Sequence, residues 1–183
     1  MNQPLFTLET ERLLLRPLEM SDAEAMFAMD QNPNVHTYLW KKPTQTIDET
    51  LKIIEYIHEQ YKRNQIGRYA TILKETGAFI GWTGIKYIDD HVENGNTNFF
   101  DYGYRLVEEY WGQGYATEAT KAWLDHGFNQ MNIQNMNAYT HHENGASNHI
   151  LRKAGFEFMQ EYTADDGICW NWWQFLKSNY QAQ

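Results

Sequence analysis

The sequence predicts an α/β (α+β) fold: a mixed, mostly antiparallel central sheet of about seven strands with helices on both faces. Three observations carry this. Short apolar and aromatic stretches with a period of two recur along the chain. Stretches with apolar residues at helical spacing fall between them. Their order is β-α-α-β-β-β-α-β-α-β-β, which no all-helical or all-strand architecture satisfies. The chain has 183 residues, of which 42% are apolar and 15% aromatic. That suffices for a substantial core, and residues 1–183 read as a single domain.

Thr10 to Leu18 reads as the first strand, with Leu13, Leu14 and Leu15 between Arg12 and Arg16 and a stop at Pro17. Ser21-Asp-Ala-Glu24 and Thr46-Ile-Asp-Glu49 are capping boxes. They open helices over about 22–29 and 47–63, the second placing Ile47, Leu51, Ile54, Ile57 and Tyr61 on one side. The loop between them, Asn32 to Pro43, holds two prolines and exposed-looking Tyr38 and Trp40. Arg68–Leu73 and Phe79–Ile88 form a hairpin through Lys74-Glu-Thr-Gly77, and the second strand is apolar on both faces, as a central strand must be. A strand over about 98–106 leads through glycines into a helix ending near Gln130. Asn137–Thr140 follows as a strand, which makes 98–140 a right-handed parallel crossover. A helix over Ser147–Ala154 stops at Gly155. Phe156–Tyr162 and Ile168–Leu176 close the chain as a hairpin, the last strand carrying Trp170, Trp172, Trp173 and Phe175.

Charge and composition exclude several classes of function. The formal net charge of −9 argues against nucleic acid as a partner and is compatible with a cationic amine. Cys169 is the only cysteine, so there is neither a disulfide framework nor a cysteine zinc site. The N-terminus lacks the basic and apolar regions of a signal peptide, and no apolar run approaches the roughly 20 residues that span a bilayer. These readings lead to the expectation of a cytoplasmic protein, monomeric or homodimeric, without membrane contact.

The most informative local feature is the junction Asp101 to Ala119. A strand with alternating Phe100, Tyr102, Tyr104 and Leu106 passes through Gly112-Gln-Gly114 into a helix. Glycines there allow a tight turn with consecutive exposed N–H groups, and the helix start adds unpaired N–H groups and the positive end of a dipole. Such a junction suits an anion, most often a phosphate; it equally suits a bare sharp turn. It is not a Walker A loop, since no Gly-x-x-x-x-Gly-Lys is present. It is not a dinucleotide fingerprint either, because Thr117 stands where the third glycine belongs and no acidic residue lies near 134. His141 and His142, neighbours at a strand end, point to opposite faces and make a poor metal pair, so no metal is expected. Cys169 reads as core, and no Gly-x-Ser-x-Gly elbow is present.

A second stretch is Asn144-Gly-Ala-Ser147 with Lys153-Ala-Gly155-Phe156. By itself it is a helix with Asn144 and Ser147 as caps, Lys153 on the dipole and Gly155 as terminator. Taken with Trp111-Gly-Gln-Gly114-Tyr-Ala116-Thr-Glu-Ala119 and the opening Thr10-Glu-Arg-Leu-Leu-Leu-Arg-Pro17, it resembles the GNAT family of acyl-CoA-dependent N-acyltransferases. Within that family the chain resembles the Rim-type subgroup, which includes ribosomal-protein N-terminal acetyltransferases. The resemblance runs from about residue 8 to 176. Trp111 stands where the family often has Arg or Gln, and Leu151 where many members have a tyrosine acid, so the resemblance points to Ser147 instead.

The resemblance implies a GNAT-like acyl-CoA fold that moves an acetyl group from acetyl-CoA to a primary amine by direct transfer through a ternary complex. It implies that Gly112, Gln113, Gly114, Tyr115, Ala116 and Thr117 cradle the pyrophosphate. Leu106 and Val107 would offer backbone groups to the pantetheine arm, and Asn144 and Lys153 would complete the cofactor contacts. Ser147 would protonate the departing sulfur, and Asp101 would take the amine proton through water unless it pairs with Arg105. An α-amine, with a pKa near 8, costs about 3 kcal/mol less to deprotonate than a lysine near 10.4. The acceptor can therefore be a protein N-terminus or a small-molecule amine. The alternative is a non-catalytic acyl-CoA-binding or protein-interaction module on the same fold.

Overall fold

The computed structural model describes residues 5–39 and 42–180. Trp40 therefore lies outside the described residues. Eight strands form one sheet: Leu8–Glu9 (β1), Leu13–Pro17 (β2), Arg68–Leu73 (β3), Ala78–Ile88 (β4), Phe99–Leu106 (β5), Asn135–His141 (β6), Glu157–Thr163 (β7) and Cys169–Leu176 (β8). Their order is β1-β2-β3-β4-β5-β6-β8-β7. All neighbours are antiparallel except β5 and β6, which are parallel, as the crossover requires. The strand beyond the expected seven is β1, whose two residues are too few to show a period. β4 is central, in keeping with its two apolar faces.

Four helices cover the sheet: Ala23–Asp30 (α1), Ile47–Asn64 (α2), Tyr115–Asp125 (α3) and Gly145–Ala154 (α4). Thr46 caps α2 by accepting from the Glu49 N–H, and Gln65 ends it in the left-handed region. The first cap differs from expectation. Asp22, not Ser21, accepts from a backbone N–H, that of Glu19 at 2.8 Å, at the head of a short 3-10 turn. α3 ends earlier than its apolar spacing suggests and passes into one π turn, His126–Gln130. Gly127 in that turn lies against Met136 and Ile85, with no room for a side chain.

The contacts assign the helices to opposite faces. Trp123 of α3 donates to the Thr83 hydroxyl, and Thr120 meets the Tyr102 hydroxyl at 2.8 Å. Thr83, Ile85, Tyr102, Tyr104 and Met136 thus face α3 and α4. On the other face Arg68 and Arg105 flank the Trp82 ring, and Arg105 reaches Asp30 of α1. Large buried side chains such as Trp123, Trp173, Phe128 and Tyr69 fill the core. Among the described residues no helix is long and apolar enough to cross a membrane.

Candidate active site

The site begins with a sheet that comes apart. β5 and β6 pair at Phe100 with Met136 and at Asp101 with Asn137, and no further. Beyond Asp101 the two strands diverge, and their facing backbone groups lose sheet partners. The opening lies between β5 as it runs on to Leu106 and β6 as it runs on to His141. Two cavities meet in this gap.

The larger, of about 790 Å³, lies beside the starts of α3 and α4. Gly112 and Gly114 take φ of +73° and +86°, the left-handed region that favours glycine, and Gly114 is the residue that opens α3. None of the N–H groups from Gly112 to Thr117 finds an acceptor among the described residues. Gly112, Gly114, Tyr115, Ala116 and Thr117 all line the cavity. The geometry is that of an anion cradle.

The cradle is braced from a distance in sequence. Glu118 accepts from the Thr10 hydroxyl at 2.5 Å and from the Arg12 backbone at 2.9 Å, and its other oxygen takes Arg12 Nε at 2.7 Å. Arg12 also donates to the Gln113 carbonyl at 3.0 Å and lies over the Tyr115 ring. The Thr10–Arg12 and Gln113–Glu118 segments are therefore one structural unit. Burial opposes ionisation of Glu118, but the hydrogen bonds from Thr10 and Arg12 outweigh it and hold the carboxyl below its ordinary pKa. Glu108 ties the following loop down by accepting from Asn32 at 2.6 Å and Asn34 at 2.9 Å.

The smaller cavity, of about 310 Å³, lies on the α1–α2 face. Its walls include Trp82, Tyr56, Tyr139 and Trp170, and its charged groups are Asp30, Arg68, Lys86, Asp101 and Arg105. Tyr56 donates to Asp90 at 2.6 Å, and burial, followed by that bond, lifts the phenol to about 12.

Tyr104, Asn144 and Ser147 line both cavities. The Tyr104 and Ser147 hydroxyls are 2.9 Å apart. Burial raises the Tyr104 phenol above its ordinary value, against the pull of the Ser147 bond. Asn144 caps α4 by accepting from the Ser147 N–H at 3.1 Å. Asn148, buried behind Ser147, accepts from Thr140 at 2.5 Å and donates to the His142 carbonyl at 3.0 Å, locking α4 to the end of β6. Neither Tyr104 nor Asn148 carries a local sequence signal of a site. Tyr104 alternates with other aromatics on β5, and only the fold brings it to a serine 43 residues on.

The other expected site residues have partners of their own or lie outside the cavities. Leu106 lines the larger cavity, but its carbonyl accepts from the Trp111 indole at 2.8 Å. Val107 donates its N–H to the Ile80 carbonyl and accepts from Tyr110, so its backbone is occupied. Gln113 turns its side chain back to the Glu109 carbonyl. Lys153 is exposed on the last turn of α4 and lines neither cavity. Asp101 pairs with Arg68, not Arg105, because Arg105 is taken by Asp30 at 2.8 Å. Arg68 also donates to the Gly84 and Asp101 carbonyls. Asp101 is 2% exposed and committed to that guanidinium, which makes it a poor proton acceptor for a substrate.

The opposite-face argument at His141 and His142 fails. β6 ends at His141, and the two rings lie 4.9 Å apart. They gather with Glu143, as His142 does with Glu161 and Cys169. Cys169 is half-buried on β8 and lies in neither cavity.

Residues 12–157 match the family described as Acetyltransferase (GNAT) domain. The uncharacterized N-acetyltransferase p20 of Bacillus licheniformis is 33% identical over 82% of this chain and 82% of its own. The spermidine N(1)-acetyltransferase of Escherichia coli K12 is 28% identical over 81% of this chain and 76% of its own. A solved structure of RimL, a ribosomal L7/L12 α-N-protein acetyltransferase, in complex with coenzyme A superposes with a TM-score of 0.76. It covers 93% of this chain and 98% of that one at 16% identity, a likeness of fold.

Proposed function

The chain belongs to the GNAT acetyltransferase family and is an acetyl-CoA-dependent N-acetyltransferase of amines. On that premise we propose that the larger cavity holds the donor, the smaller one the acceptor amine, and that Ser147 and Tyr104 serve the reaction between them. The observation that carries this reading is the hydrogen bond between Ser147 and Tyr104 where the two cavities meet.

The unpaired N–H groups from Gly112 to Thr117 suit the pyrophosphate of coenzyme A, and the gap between β5 and β6 suits an extended arm. The amine nitrogen's electron pair forms the bond to the thioester carbon. The C–S bond breaks, and its electron pair leaves on sulfur. Ser147 donates its proton to that sulfur, and Tyr104 resupplies Ser147 through their hydrogen bond. The amine loses its proton to water in the acceptor cavity, and Tyr104, which lines that cavity, takes a proton back from the same water. Burial keeps the Tyr104 proton in place at neutral pH, as a donor requires. Direct transfer fits a site in which no cysteine lines either cavity. Alignment of the partners supplies much of the rate, since oriented groups reach effective molarities of about 10⁵ M or more.

Thiol release from acetyl-CoA in the presence of an amine panel tests this reading. Ser147→Ala should lower kcat at least tenfold, toward the range of about 10²–10⁴ typical of acid catalysis, with little change in acetyl-CoA binding. Tyr104→Phe should follow it, and the double variant should fall no further than the worse single one. An unchanged kcat in Ser147→Ala would remove that residue as the donor.

A further inference from the structure

The acceptor cavity has the opposite sign to the protein around it. The whole chain carries −9, yet the cavity is lined by three cationic residues, Arg68, Lys86 and Arg105, against two carboxylates, Asp30 and Asp101. Both carboxylates are already spoken for. Asp101 is bound by Arg68, and Asp30 gives one oxygen to Arg105 while its other oxygen is sealed from solvent. Lys86 is different. It is half-buried and makes no hydrogen bond or ion pair with the described residues. The carboxylates nearest in charge, Asp101, Asp90 and Glu93, are each bound to other groups: Arg68, Tyr56 with His91, and Tyr162. An ammonium taken from water without a bonded partner is costly, and burial pulls the Lys86 pKa below the ordinary lysine value, against the attraction of those three carboxylates.

Lys86 sits opposite Asp101 on β5, on the sheet face that carries Trp82 and Arg105, and lines the cavity that Tyr104 and Ser147 also line. Trp82, Tyr139 and Trp170 line the cavity, offering apolar wall and no further charge.

We infer that the acceptor is an amine that also carries an anionic group, with Lys86 as the residue that binds that group. The class is an amine bearing a carboxylate, such as a free peptide or an N-terminus followed by an acidic side chain. A polyamine would bring a second cation to a cavity with no free carboxylate for it. This inference rests on the acetyl-transfer reading and deepens it by naming the acceptor.

The test compares kcat/KM by thiol release at saturating acetyl-CoA for four acceptors. They are trialanine, trialanine amide, an amide-capped peptide with Asp third, and spermidine. Trialanine should exceed its amide at least tenfold, with spermidine last. Turnover of the Asp peptide as well would extend the class to protein N-termini, and its absence would restrict the class to free peptides. Lys86→Met should raise the KM of trialanine at least tenfold, leave the amide unchanged and erase the preference, while Lys86→Arg should restore it. Equal use of acid and amide, or a preference for spermidine, would overturn the anion-binding role of Lys86 and leave acetyl transfer intact. Thiol release with none of the four would overturn both.

Discussion

The proposed donor cavity is built from backbone, and the proposed acceptor cavity from side chains. Gly112 to Thr117 and Asn144 to Ser147 are two short runs, and each does its work through N–H groups or a helix start. The acceptor cavity draws Asp30 from α1, Tyr56 from α2, Arg68 from β3, Lys86 from β4, Asp101 from β5 and Tyr139 from β6. A backbone site needs only a local conformation, which a few glycines and a cap specify. A side-chain site needs partners from several elements, and each group's chemistry depends on which partner it meets. Asp101 illustrates this. The same carboxylate would face substrate if unpaired, and becomes a structural anion once Arg68 binds it.

The contrast predicts how the two cavities fail. The largest effect should come from Asp101→Ala, which leaves Arg68 buried without its anion and should cost about 3–5 kcal/mol in urea unfolding. Under native conditions the folded fraction should still bind coenzyme A normally by calorimetry. A large loss of coenzyme A affinity with unchanged stability would break the division between the cavities.

Glu118→Gln should do the reverse. It weakens the brace on the glycine turn, so acetyl-CoA affinity should fall several-fold while stability moves by about 1 kcal/mol or less, as expected for a partly exposed pair. The same brace sets an acid limit. Glu118 has a folded pKa below its unfolded one, so its contribution is present above the unfolded value, near 4.3–4.5, and is lost as pH falls through the folded value. Coenzyme A affinity in the native protein should therefore hold at pH 5 and fall below pH 4, a limb that Glu118→Gln should lack.

The smallest effect is expected at Lys153. It lines neither cavity, so Lys153→Ala should leave kcat and the KM for acetyl-CoA within twofold. A tenfold rise in that KM would bring the end of α4 into the donor site.

Much of the donor side was legible because its signals are local. The strand period up to Leu106, the glycines at 112 and 114, the cap at Asn144 and the stop at Gly155 each depend on neighbours within a few residues. The parallel crossover followed from element order alone. Where the resemblance implied a free backbone or the spacing implied a direction, a competing partner took the group. Val107 gave its N–H to Ile80, and Leu106 gave its carbonyl to Trp111, because a strand end satisfies its own backbone first. His141 and His142 came together because the strand ended between them, an end that period-two reasoning cannot locate.

By itself the sequence determined the mixed sheet, the helices on its faces, the anion-ready turn and the serine at the head of α4. All of these follow from dihedral preferences and apolar periodicity, which act over a turn or a strand. Only the tertiary structure decided that β5 and β6 separate after Asp101, that Tyr104 meets Ser147, and that Arg68 rather than Arg105 takes Asp101. It also left Lys86 with no hydrogen bond or ion pair among the described residues, in a cavity whose carboxylates are paired. Charge pairing in a low-dielectric interior acts across space, and no spacing along the chain encodes which partner arrives.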